Sequence, residues 1–335
     1  MPVRALFLAV VVGVGAACSP QGGGASPSAG LTPLTVGLGY IPSVQFAPFY
    51  LAQQEGLYRD AGLQVTFQNK IDPDLVTLVG QGTLDLGVAD GTSVIPAVSQ
   101  GIPIRYVATI YGTFPSVVFA KASSGIKTAH DLAGKRIGIP GRYGSSWIML
   151  QALLGSVGLR PDSDVTIVEY PDFGQGVAVQ QGAVDAATGF ANNEPVQLEL
   201  SGTKAIVLHV DDIVPLPGPG LIVGTATLGA KENAVAGFVS ATLQAMTEIA
   251  KDPKKGLDAG IAAVPELASD RETQAAILNA TIATWSPPGG SPSDFGNVDR
   301  NGWDASITFM TKLGLVPKPV TVDGLVKEVG VLPVG

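Results

Sequence analysis

An α/β protein of two lobes, each built on a mostly parallel sheet flanked by helices, is what this chain predicts, and three observations carry the prediction. From Leu34 onward, short β-rich runs alternate with helical ones, the rhythm that feeds a parallel sheet with helices on both faces. The rhythm restarts after Val117-Val118-Phe119-Ala120. Both halves also carry the pattern QGxxD between a helix and a strand, at Gln81–Asp85 and again 100 residues later at Gln181–Asp185. In each, the glycine can end its helix in the left-handed conformation and the aspartate leads the next strand. The same signature at the same point of both rhythms implies topologically similar lobes.

Met1–Ala17 carries Arg4, an apolar run from Ala5 to Val12, and Gly15-Ala16-Ala17 ahead of the only cysteine. This reads as a secretory signal (residues 1–17) with a small-residue processing site, too short to span a bilayer. Cys18 has no intramolecular disulfide partner, and SPQGGGASPSAGL behind it is a flexible spacer, so residues 18–33 read as a linker. The junction resembles the lipobox of bacterial lipoproteins, with Gly15 where that pattern has leucine. The resemblance implies that Cys18 is acylated, palmitate-style, and anchors the chain to the extracytoplasmic face of the cell membrane. A secreted protein with an incidental cysteine is the alternative, and the spacer favours the anchor.

The remaining 300 or so residues suffice for two lobes of ordinary domain size. Charged residues are 14% of the chain and its formal net charge is −8, so no basic field exists for nucleic acid. The two histidines, His130 and His209, have no ligand-like spacing, which leaves no material for a zinc site or a Cys/His nucleophile pair. His130, in KTAHDLAGK, reads as part of a surface helix start. Neither metal nor cofactor is expected.

The strand Leu34–Leu38 leads into GYIPSVQFAPFYLAQQEGLY, Gly39 to Tyr58, read as an aromatic loop opening into a helix. Strand and helix runs follow at Leu63–Phe67, Asp74–Gly82, Leu84–Ala89, Ser93–Gln100 and Ile104–Thr109. The second rhythm has strand Arg136–Ile139, helix Trp147–Val157, strand Val165–Glu169, helix Gly174–Gln181 and strand Ala186–Thr188. DDIVPLPGPG, Asp211 to Gly220, is too proline-rich for a helix or central strand. Phe119–Lys121 and Gly220–Val223 are then two extended crossings between the lobes. The expected boundaries are 34–120 for the first part of lobe 1, 121–219 for lobe 2 and 220–335 for a mainly helical return to lobe 1.

Ligands of open α/β sheets bind outside the carboxyl ends of the strands, where helix starts also aim their free N–H groups. Four such ends converge here. The first presents Tyr40, Gln45 and Phe46, with Phe49 and Tyr50 either at the cleft or in the core. The second is Asp90-Gly91-Thr92-Ser93, where Asp90, Thr92 and Ser93 either cap a helix or meet ligand. The third, Pro140–Trp147, offers Arg142, Tyr143, Ser145 and Trp147 around two glycines, without the GxxxxGK[ST] spacing of a nucleotide loop. The fourth presents Phe190, Asn192, Asn193 and Glu194. That set suits a flat ring bearing amide or amine groups, with the face stacked and the edge hydrogen-bonded; a capped helix start is its plainer reading. Nucleophile–base pairs, paired carboxylates and metal cages do not show in the sequence, so an enzyme is not expected.

GYIPSVQFAPFYLAQQEGLY, QGTLDLGVAD followed by GIPI, GIKTAHDLAGKRIGIPG and NNEP at Asn192–Pro195 together resemble the substrate-binding lipoproteins of ABC importers, in the group similar to thiamine-pyrimidine biosynthesis proteins. The resemblance runs from about Leu34 to Ala250. It implies a type II periplasmic-binding fold, with a ligand cleft between lobes that close on a two-stranded hinge. It also implies a monomer that delivers its ligand to a separate permease and ATPase. Tyr-Ile-Pro and Gln-Phe-Ala-Pro-Phe-Tyr are closest to riboflavin-binding members, which sets riboflavin ahead of a thiamine pyrimidine, and both ahead of a sulfonate- or nitrate-like anion.

Overall fold

The computed structural model describes residues 30–69, 75–211, 213 and 216–330. The predicted signal, Cys18, most of the linker and Asp74 lie outside them. The first part of the chain forms β1 (Thr32–Gly37), α1 (Ala47–Gln54), α2 (Leu57–Asp60), β2 (Leu63–Gln68), α3 (Leu75–Gly80), β3 (Leu86–Ala89), α4 (Gly91–Ser99) and β4 (Ile104–Thr109). Next come β5 (Ser116–Lys121), β6 (Arg136–Ile139), α5 (Gly144–Ser156), β7 (Thr166–Glu169), α6 (Gln175–Gln181), β8 (Ala186–Phe190), α7 (Glu194–Leu200) and β9 (Ala205–His209). The rest is β10 (Gly220–Gly224), α8 (Thr225–Lys251), α9 (Pro253–Ala263), α10 (Arg271–Trp285), α11 (Arg300–Lys312) and α12 (Val322–Leu325).

The strands form two sheets, ordered β2-β1-β3-β10-β4 and β7-β6-β8-β5-β9. The orders correspond position by position. Each has a parallel trio, a reversed strand paired antiparallel on both sides, and a last strand beyond it. This refines the expected crossings: Phe119–Lys121 belongs to β5, inside the second sheet, and Gly220–Val223 to β10, inside the first. The chain therefore passes between sheets at residues 110–115 and 210–219. An unbroken apolar run such as Val117–Ala120 is what a strand buried on both faces requires, and sequence alone cannot distinguish that from a crossing.

The repeated QGxxD motif does one mechanical job twice. Asp85 N–H donates to the Thr35 carbonyl at 2.9 Å, and Thr35 N–H returns a bond to the Asp85 carboxylate at 2.9 Å. In the other sheet Asp185 and Arg136 exchange the same two bonds, at 2.9 and 2.8 Å. Each carboxylate also holds a cation: Lys231 on Asp85 at 2.8 Å and Arg136 on Asp185 at 3.0 Å. Gly82 and Gly182 both have positive φ, +75° and +77°, as a helix ending in the left-handed region requires.

Behind the first sheet, α8 to α10 share one core with α1 and α2. Phe238 of α8 stacks on Tyr58 at 4.9 Å and on Phe49 at 6.2 Å between ring centroids. Tyr58 closes its hydroxyl against Thr242 at 2.8 Å. Phe49 and Tyr50, 1% and 6% exposed, are thus core residues, the commoner fate of helical aromatics. His130 sits exposed in a short helical turn started by the Thr128–Asp131 capping box. Among the described residues no helix is long and apolar enough to cross a membrane.

Candidate functional site

A cavity of about 220 Å³ opens where the strand ends of the two sheets face each other. Tyr40, Gln45 and Phe46 follow β1; Asp90 and Ser93 follow β3; Tyr143 and Ser145 follow β6; Phe190, Asn193 and Glu194 follow β8. All four predicted strand ends therefore contribute to one wall.

Four other predicted residues stand off it. Thr92 is fully buried and gives its hydroxyl to Asp90 at 2.5 Å, so it completes a helix cap. Arg142 bonds Asp162 through both terminal nitrogens at 2.8 and 2.7 Å and Glu169 through Nε at 3.0 Å, which occupies its fork. Its guanidinium lies 5.0 Å over the Trp147 ring, so Trp147 meets that cation and does not line the cavity. Asn192 is 1% exposed and sits behind the wall. Its amide donates across the lobes to Gln45 Oε1 at 2.9 Å and Thr281 Oγ1, on α10, at 2.8 Å.

More contacts bridge the lobes. Tyr40 meets Phe173 edge-on at 5.0 Å and 85°, and Asn193 donates to the Tyr40 hydroxyl at 3.3 Å. Phe173 holds a φ of +60°, a left-handed conformation uncommon for a bulky residue. Asp90 hydrogen-bonds Ser145 from the opposite lobe. Burial pushes the Asp90 carboxyl up, against hydrogen bonds from Thr92, Ser145 and Ser93.

Glu194 is the centre of the polar floor. It is 9% exposed, more buried than a cleft-surface residue, and burial pushes its carboxyl up from 4.5 to about 6. The Phe190 and Glu194 N–H groups oppose that rise, the Phe190 N–H at 2.9 Å from Oε2. Two glycines make room for it: a Cβ at Gly189 would stand 2.8 Å from Glu194 Oε2, and one at Gly176 3.3 Å from its Cγ. Burial raises the Tyr40 hydroxyl above its ordinary value, and the Glu194 charge raises it further.

The sequence reading missed Tyr111, Phe173 and Gln175, all on the cavity wall. Phe173 and Gln175 lie just past β7, so the strand-end rule applied to the other four ends would have found them too. Tyr111 follows β4 in the passage to the second sheet. Among the described lining residues there is no Lys, Arg, His or Cys.

The NMT1/THI5-like family model matches residues 43–256. The chain is 33% identical to the riboflavin-binding protein RibY of Chloroflexus aurantiacus over 96% of each chain. It is 28% identical to a 4-amino-5-hydroxymethyl-2-methylpyrimidine phosphate synthase of Legionella pneumophila, over 70% of this chain and 74% of that one. Its fold is that of the periplasmic binding proteins. The alkanesulfonate-binding protein SsuA of Xanthomonas axonopodis superimposes with a TM-score of 0.69 at 20% identity, covering 90% of this chain and 100% of its own. Since the matched segment runs through both sheets and carries most of the cavity wall, the chain belongs to the NMT1/THI5-like family.

Proposed function

We propose that this protein is the extracytoplasmic substrate-binding component of an ABC importer. Its ligand is a flat heterocyclic vitamin, riboflavin ahead of a thiamine pyrimidine, passed on to a separate permease and ATPase. The observation that carries the reading is the chemistry of the cavity. Aromatic rings at Tyr40, Phe46, Tyr143, Phe173 and Phe190 offer faces and edges for stacking, above a floor of carboxylate and amide groups. The whole-length likeness to a riboflavin-binding protein supports the flavin over the shorter pyrimidine. At about 220 Å³ the cavity is below the roughly 300–1,000 Å³ of pockets that enclose drug-sized ligands. A flavin ring therefore enters with its ribityl tail at the mouth, or with the lobes parted. A sulfonate or nitrate ligand fits poorly, because Asp90 and Glu194 face the space and the nearby cation Arg142 is already paired twice.

Binding without catalysis is the reading preferred over the synthase activity named for the Legionella relative. The described lining holds no His, Cys or Lys, so beside the raised carboxyls of Asp90 and Glu194 it offers no thiol nucleophile and no Schiff-base amine. The chain acts as a monomer tethered through Cys18, and Cys18→Ser should release it into the soluble fraction; retention on membranes after a high-salt wash would refute the tether.

Fluorescence titration of the purified protein with riboflavin tests the ligand. Glu194→Gln should weaken binding roughly tenfold to a hundredfold, the worth of one charge-assisted hydrogen bond. The ligand should be recovered unaltered. No quenching by riboflavin together with binding of the aminopyrimidine would reverse the order of the two candidates, and a chemically changed ligand would restore the enzyme.

A further inference from the structure

Gln175, the first residue of α6, is 1% exposed and stands in the cavity wall. The sheet makes space for it, since a Cβ on Gly138 would come within 3.1 Å of Gln175 Cβ. Its side-chain NH₂ donates to the Thr188 carbonyl at 3.3 Å and to Glu194 Oε1 at 3.5 Å. Both partners accept only, the carboxylate in its ionised form. Turning the amide over would set its oxygen against a carbonyl and a carboxylate, so these neighbours fix which end is which. The other end, Oε1, is buried and has no hydrogen-bond partner. A buried acceptor left unmatched is costly, and native structures leave few of them.

We infer that Gln175 sets the hydrogen-bond polarity of the site: its Oε1 receives an N–H from the edge of the ligand's ring, beside the Glu194 carboxylate. This rests on the reading of the cavity as a ring-binding site. Gln175 and Glu194 then present acceptors side by side, and a ring whose edge offers only lone pairs is rejected there. Two ligand sources share the required chemistry. The imide N–H of an isoalloxazine supplies one donor, and the exocyclic amine of an aminopyrimidine supplies two. Gln175 also aims Glu194 through its NH₂, so one side chain ties recognition by the carbonyl to placement of the acid.

The test is a cycle of ligand methylation against mutation. Riboflavin and 3-methylriboflavin form one pair of probes; 4-amino-5-hydroxymethyl-2-methylpyrimidine and its dimethylamino derivative form the other. Each is titrated into wild-type protein and Gln175→Met, which keeps length and removes the acceptor. In the pair that supplies the ligand, methylation should cost wild type about tenfold to a hundredfold in affinity, the loss expected when a buried acceptor goes unmatched. In Gln175→Met most of that penalty should vanish, which a purely structural role for Gln175 would not produce. Equal wild-type affinities for a bound ring and its methylated form would overturn the inference alone, and this arm needs no folded variant. A penalty undiminished in Gln175→Met would assign the contact to another residue. If neither unmethylated probe binds, the ring-binding reading and this inference fall together.

Discussion

Glu194→Gln measures what the buried acid costs the fold. Burial lifts its pKa from 4.5 to about 6, so between those values the native state keeps a proton that the unfolded state has lost. The sign follows: stability from this group is greatest below about 4.5, declines as pH rises through the window, and is flat above about 6. At about 1.4 kcal/mol per tenfold step, the decline amounts to about 2 kcal/mol. Glutamine does not titrate. Its carbonyl can keep the bond from the Phe190 N–H, now 2.9 Å from the acid, but its NH₂ then meets the Gln175 NH₂ across the present 3.5 Å contact. That mismatch offsets roughly 1 kcal/mol. The variant should therefore be about 1 kcal/mol more stable than wild type above neutrality and about 1 kcal/mol less stable near pH 4.5. Urea unfolding of ligand-free protein, followed by circular dichroism across this range, gives the difference directly, because the other carboxylates titrate in both proteins and cancel. A variant-minus-wild-type difference that stays constant across the range would refute the buried-acid argument. Gaining stability while losing ligand is the trade expected of a site residue held in an unfavourable charge state.

Asn192→Ala strands Gln45 Oε1 and takes a donor from Thr281 Oγ1, which keeps its own bond to the Ile277 carbonyl; the two cross-lobe bonds lost are 2.9 and 2.8 Å. Small-angle scattering should show a larger ligand-free radius of gyration, with roughly 1–3 kcal/mol lost from closure; an unchanged radius would remove Asn192 from any closing role. In wild type, saturating ligand should shift open molecules toward closed ones and reduce the radius, and proven binding with no change would mean a cleft already shut. Gly189→Ala places a methyl 2.8 Å from Glu194 Oε2 and 2.9 Å from Phe119 Cε1, so it should cost about 1–3 kcal/mol and weaken binding by displacing the acid. Full stability and affinity in that variant would show that the floor is softer than its packing implies.

The chain's local grammar made much of this legible. Period and punctuation located β1 to β4 and β6 to β8 within a residue or two. The strand-end rule pointed to Tyr40, Asp90, Tyr143 and Glu194, which line the cavity, because it depends on topology and not on pairing partners. What stayed hidden was whatever depends on residues distant in sequence. Arg142 looked available because its loop gives no hint of Asp162 and Glu169, which fold back to claim it. Asn192 looked like a ligand group because Gln45 and Thr281 reach it from 147 and 89 residues away. The burial of Glu194 did not show because the glycines that admit it, Gly176 and Gly189, read locally as a helix residue and the first residue past a strand. The strand Ala205–His209 was missed outright: Ala205–Leu208 is an unbroken apolar run, but one too short for its period to tell a strand from a buried helix segment.

The shared strand order has a consequence for how the molecule comes into being. The reversed strand of each sheet comes from outside that sheet's own βαβ run: β10 reaches the first sheet only after the whole second one has been traversed, and β5 precedes the strands it joins. A growing chain that has not reached Gly220 holds β3 and β4 apart with unfilled edges between them, the kind of exposed strand edge that invites misassembly. Closing the gap at Val88 and Leu221 joins residues more than a hundred positions apart, a slow step by any measure of loop closure. The first lobe, although synthesised first, is the last to be completed, and until Gly220 is made the strands within residues 32–109 stand without the one that closes their sheet.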